Sequence, residues 1–213
     1  LNSNLGAKEK LIDRLIEASW GMHNLTLFTS NETVGKQAEY IRWGLDYDYW
    51  CHNMERVFEE SNIRRTVVMM TINALCLFGI TDFLDQMMVW KNKYKHKSIG
   101  ISINFLRFPA CQALITLPDD IRERLASEIE MWYHTNKTDN MLNAMEKGDI
   151  ERLINYVRVV KQGHDFHDDN KEANVRDFKR FYTQYDMRRD RTIEVFPDYF
   201  LDWYNNIEAP HVG

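Results

Sequence analysis

The stretch "LTLFTSNETVGKQAEYIRWGLDYD", residues 25–48, decides how the rest of the chain is read. It opens as a buried strand, with Leu25, Leu27 and Phe28 set among the β-branched Thr26 and Thr29. It turns polar at Ser30, Asn31 and Glu32, and after Gly35 a helix-like run carries Lys36, Glu39 and Arg42. Polar residues at the C-terminal end of a strand, followed by a helix, are where parallel α/β proteins place ligands.

Working outward, the same alternation recurs. Residues 7–20, "AKEKLIDRLIEASW", set Leu11, Ile12, Leu15 and Ile16 on one helical face, and Gly21 follows as a stop signal. A strand is expected at 24–30, and helical material over 36–60 in two pieces broken near Gly44. The second piece brings Tyr47, Trp50, Met54, Val57 and Phe58 to helical spacing. "RRTVVMMTIN" at 64–73 is a continuous apolar run, the pattern of a parallel strand buried on both faces. "GITDFLDQMMVWKNKYK" reads as a helix capped by Thr81, with Phe83, Leu84, Met87, Met88 and Trp90 turned inward. "SIGISINFLRF" at 98–108 is a third strand. This order predicts an α/β fold of right-handed βαβ units with parallel strands. From Pro118 onward the pattern is helical, with a helix start at Asp119 or Asp120 and no further strand. The organisation expected is 1–117 as the α/β part and 118–213 as a mainly helical C-terminal extension.

Composition narrows the function classes. The 213 residues are 44% hydrophobic and 13% aromatic, enough for a sizeable core, and four prolines and nine glycines are too few for a turn-rich all-β fold. A net charge of -5 gives no reason to expect a nucleic-acid surface, and "KNKYKHK" at 91–97 and "RRDR" at 188–191 read as solvated helix ends. Cys51, Cys76 and Cys111 are odd in number and far apart, which suits a reducing cytoplasm rather than a disulfide framework. No apolar run approaches the roughly 20 residues of a membrane helix.

The familiar motifs are missing: no phosphate loop, no Gly-x-Gly-x-x-Gly, no Gly-x-Ser-x-Gly elbow and no cysteine pair at zinc spacing. "HDFHDD" at 164–169 offers two imidazoles and three carboxylates, a mixture zinc or manganese accepts, but its place between two helices favours a solvated loop. The strand ends remain. Ser30, Asn31 and Glu32 close the first, Thr71 and Asn73 the second, and Asn104 and Arg107 the third. In a parallel sheet these lie along one rim. Their hydroxyl, amide and guanidinium groups suit a ligand bearing ribose hydroxyls and a carboxylate; the competing reading is that they only cap helices and finish turns.

Four segments, "FTSNETVGKQAEYIRWGLDYDYW", "MTINALCLFGITDFLDQM", "INFLRFPACQALITLPDD" and "FYTQYDMRRDRTIEVFPDYFLDWY", occur in this order. Together they resemble the later barrel and C-terminal tail of radical S-adenosylmethionine proteins, of the twitch-domain type met in phages and environmental sequences. The resemblance runs from about Leu25 to Tyr204. It implies a partial (β/α)6 TIM-like barrel holding S-adenosylmethionine at the C-terminal rim beside a [4Fe–4S] cluster. In the intact protein that cluster would reductively cleave the cofactor and start radical chemistry on an unidentified substrate, a peptide being one class.

By match, the resemblance makes Ser30 and Arg42 candidates for the methionine carboxylate and Asn73 for the ribose, with Arg107 and Asn104 facing cofactor or substrate. Two departures stand out. Ser30-Asn31-Glu32-Thr33 replaces the Ser-x-Asp-Gly common in such sequences, and no Cys-x-x-x-Cys-x-x-Cys motif is present. With Leu1 in place of methionine, the expectation is the C-terminal portion of a longer protein, without the first three barrel strands and unable to bind the cluster alone. The alternative is a stand-alone, non-catalytic α/β interaction module.

Overall fold

The structure, a computed structural model, describes residues 1–138, 140–159 and 170–208. The three apolar runs form strands β1 (Thr26–Ser30), β2 (Arg65–Ile72) and β3 (Ser98–Phe105). They pair in parallel in the order β1-β2-β3, with Thr29 beside Val68 and Val68 beside Ile101. Helices α1 (Glu9–Ser19), α2 (Gly35–Ile41), α3 (Tyr47–Glu60) and α4 (Ile80–Lys93) accompany the strands. Helices α5 (Asp119–Asn136), α6 (Ala144–Val159), α7 (Lys171–Arg189) and α8 (Asp198–Asn206) follow, and no strand lies beyond Phe105 among the described residues. None of the described helices is long and apolar enough to cross a membrane.

Side-chain alternation gives the sheet two unlike faces. One is buried and mostly apolar: Leu27, Val68, Met70, Ile72, Ile99, Ile101 and Ile103, with the hydroxyls of Thr29 and Thr66 among them. Against it sit α3 and α4, which meet through Trp50 and Trp90 at a 5.7 Å ring separation, and the Trp50 indole N–H donates to Thr29 Oγ1 at 3.2 Å. Consecutive parallel strands joined by right-handed crossovers put their helices on one side of the sheet. On the other face Phe28, Ser30, Met69, Gly100 and Ser102 are half-buried, and Thr71 and Asn104 are exposed. The expectation that 64–73 is covered on both faces therefore holds at Val67 but fails toward the C-terminal end of β2.

Local expectations needed two corrections. Thr81 does not cap α4; the helix starts at Ile80 from Gly79, directly after a 3-10 turn at Cys76–Gly79. In α1 the buried side is Ile12, Ile16 and Ser19, while Leu11 is 54% exposed and Leu15 half-buried. The hydrophobic stripe was real, but only half of it meets the core. The break between α2 and α3 falls where expected, with Gly44 at φ 86° and Asp46 Oδ1 accepting from Tyr49 N at 2.9 Å to start α3. A left-handed residue there favours glycine.

The two edges of the sheet differ. At β1 the first residues lie alongside: Asn2 bridges Phe28 in parallel, Phe28 N donates to Leu1 O at 2.8 Å and Ser3 N to Phe28 O at 2.9 Å. At β3 the edge is closed by side chains of α6. Glu146 Oε1 accepts from Ile101 N at 3.1 Å, Asp149 Oδ2 accepts from Ile103 N at 3.2 Å, and Arg152 Nη2 donates to Ile103 O at 2.6 Å. One face of a helix thus does the work of a neighbouring strand, satisfying edge groups that invite association when left open. Glu146 is buried and holds Lys91 Nζ of α4 at 2.5 Å, and it forms a reciprocal cap with Asn143 at the start of α6.

Glu146→Ala leaves Lys91 buried without its counter-charge, so a loss of about 3–5 kcal/mol is expected in urea unfolding. Asp149→Ala removes one edge hydrogen bond and is expected to cost about 1 kcal/mol. Equal losses in the two variants would mean that the edge contact, not the ion pair, dominates.

Candidate functional site

The strand-end residues picked from the sequence gather partly at one rim. Ser30 closes β1, half-buried, on the more open face of the sheet, in one row with Met69 and Ser102; Thr71 and Asn104 form the next row. The chain then turns inward, and Asn31, Glu32 and Thr33 are 0%, 3% and 0% exposed.

Arg42 reaches this turn from the end of α2. Its Nε and Nη2 donate to the same Glu32 oxygen at 2.9 and 2.6 Å. Burial pushes the Glu32 carboxyl up, and the Arg42 guanidinium pulls it part of the way back. Arg42, expected to take a ligand carboxylate, therefore already holds one belonging to the chain. Asn73, assigned to a ribose, is buried, and its Oδ1 accepts from Leu75 N at 2.9 Å and Cys76 N at 3.1 Å. It caps the 3-10 turn that leads into α4. Arg107 and Asn104 are exposed beyond and at the end of β3.

Two features escaped sequence reasoning. Asn31 is completely buried, yet neither its Nδ2 nor its Oδ1 has a hydrogen-bond partner among the described residues. A buried amide in that state marks a place where a water or ligand group belongs. Asn31 stood in the strand-end triplet, but nothing in its type separated it from its neighbours. The second feature is the backbone approach at Gly79, where an added Cβ would collide with Thr33 Oγ1 and Gln37 Oε1. That contact locks the turn after β1 against the turn after β2.

The helical extension closes over these turns. The Tyr40 hydroxyl donates to Asp186 Oδ1 at 2.7 Å, and the Tyr185 hydroxyl donates to Tyr40 O at 2.7 Å. Phe78, in the 3-10 turn, meets Phe196 edge-on at a 5.7 Å ring separation and Phe200 at a tilt at 4.8 Å. One continuous apolar core runs from the sheet into α7 and α8.

The thiols do not form a ligand set for an iron–sulfur cluster. Cys51 lies on α3, Cys76 is buried in the 3-10 turn with its thiol pushed up chiefly by burial, and Cys111 follows β3. Among the described residues no group of three or more His, Cys, Asp or Glu side chains could hold a metal ion, and "HDFHDD" at 164–169 lies outside them. No protein-family model, curated protein or solved structure matches the chain.

Glu32 and Gly79 are both open to measurement. Below pH about 4.5 Glu32 is protonated in both the folded and the unfolded chain. Between there and its raised folded value, the folded chain keeps a proton that the unfolded chain has released, so stability falls as pH rises through that window. Glu32→Gln is expected to flatten this fall, read as urea midpoints across the acid range. Gly79→Ala is expected to cost about 1–3 kcal/mol by overpacking, read in the same assay at neutral pH.

Proposed function

We propose that the chain is the later part of a radical S-adenosylmethionine partial barrel, closed at its last strand by α6 and followed by a helical extension. The observation that carries this reading is the second face of the sheet. Consecutive parallel strands carry their helices on one side, as barrel strands do, and leave Ser30, Ser102, Thr71 and Asn104 on the other. Gly100 and the two serines are the small residues of that face beside Phe28 and Met69, and the hydroxyls and amide stand toward its C-terminal end.

In this reading Ser30 donates to the methionine carboxylate of S-adenosylmethionine, and Arg107 supplies charge from the end of β3. Arg42 acts through Glu32, holding the turn after β1 in place, and Asn73 fixes the turn after β2. The cofactor supplies radical chemistry only with a [4Fe–4S] cluster, and this chain offers no thiol set for one. Its own share is to bind and orient; no radical step is assigned to it.

A second reading has an observation of its own. Arg42 and Asn73 spend their polar groups on Glu32 and on backbone N–H groups, as they would in a non-catalytic α/β interaction module. Calorimetric titration of the purified chain with S-adenosylmethionine separates the two. Saturable binding that Ser30→Ala and Arg107→Ala each weaken about tenfold, roughly 1.4 kcal/mol, is expected. Absence of saturable heat overturns the cofactor reading and leaves the interaction module.

A further inference from the structure

Arg191 differs from the other arginines that are drawn out of solvent. Arg42, Arg56, Arg122 and Arg158 each hold a carboxylate. Arg191 is half-buried and has neither an ion pair nor a side-chain hydrogen bond among the described residues. Its guanidinium is in reach of solvent and so is free to take an anionic group from outside the described residues.

The space for that partner is present. Arg191 lines a cavity of about 380 Å³ with Lys36, Tyr40, Asp190, Thr192 and Val195, within the range of small-ligand sites. The walls are held from several directions. Asp190 takes φ 50° at the end of α7, Arg191 N donates to Asp186 O at 3.3 Å, and Thr192 Oγ1 accepts from Glu194 N at 3.3 Å. Across the cavity Tyr40 is fixed by Asp186 and Tyr185. Lys36 is close enough to Arg191 for the two cations to oppose each other, and Glu39, at 2.7 Å, offsets part of the Lys36 charge.

The charges choose the ligand class. Among the described residues neither Arg191 nor Asp190 has an ion-pair partner, and Lys36 is partly offset. That balance suits a zwitterion better than a dianion such as phosphate. We propose that this pocket binds an α-amino carboxylate. Its carboxylate meets the Arg191 guanidinium with Lys36 alongside, its ammonium meets Asp190, and its side chain lies along Tyr40 and Val195. The site is independent of the barrel reading, since Ser30, Asn73 and Arg107 do not line it.

The probe is free L-leucine, titrated into the full chain while the backbone amides of Lys36, Arg191 and Thr192 are followed by NMR. Saturable shifts at these amides are expected. Arg191→Ala should weaken binding at least about tenfold, and the exposed neighbour Arg188→Ala should leave it unchanged. Asp190→Asn should weaken L-leucine but not acetate, which separates the ammonium contact from the carboxylate contact even if Arg191→Ala is poorly folded. The proposal is overturned by shifts that do not saturate, by Asp190→Asn leaving L-leucine binding unchanged, by a folded Arg191→Ala that binds as the wild type does, or by inorganic phosphate binding more tightly than L-leucine.

Discussion

Glu146 is the side chain on which three parts of the structure converge. Its carboxylate neutralises Lys91 in a buried pair, accepts the Ile101 N–H from the edge of β3, and closes the cap at the start of α6. A buried charge pair by itself is weak evidence of stability, because desolvation offsets the attraction. This one gains from the hydrogen bonds that occupy its remaining lone pairs. It fixes where α6 begins, and Asp149 and Arg152 then meet the next backbone groups along the strand. A strand repeats on one side every two residues, about 6.6 Å, and a helix gains 4.5 Å in three. Long, flexible acidic and basic side chains absorb that mismatch.

With β3 closed, the sheet has a direction. Its helices lie on one side, and its more open face carries hydroxyls and an amide toward the C-terminal end. At the strand ends the chain invests heavily in its own geometry: Glu32 with Arg42, Asn73 with the 3-10 turn, Gly79 against Thr33 and Gln37. Such internal pairing makes a stiff rim. The Asn31 amide, buried in the turn with no hydrogen-bond partner among the described residues, is therefore informative, and so is Arg191 just past α7, which holds no carboxylate among them. The Tyr40–Asp186 hydrogen bond joins the two regions by fixing the extension against α2.

The sequence by itself determined the strands, the helices and their alternation. The apolar runs at 64–73 and 98–108 permit little else, and parallel pairing follows from the helices between them. It also located the break at Gly44, the start of α5 to within one residue (Asp119 or Asp120, the helix beginning at Asp119) and the inward face of α4. Periodicity is local and survives in a linear string. Only the tertiary structure decided which half of the α1 stripe is buried, that Arg42 faces Glu32, that Asn73 serves a turn, and that Arg191 holds no carboxylate among the described residues. Each of these depends on what packs across a gap, between groups as distant as Lys91 and Glu146, 55 residues apart. A residue type states which bonds a side chain can make; only the folded chain decides which partners come within 3 Å of it.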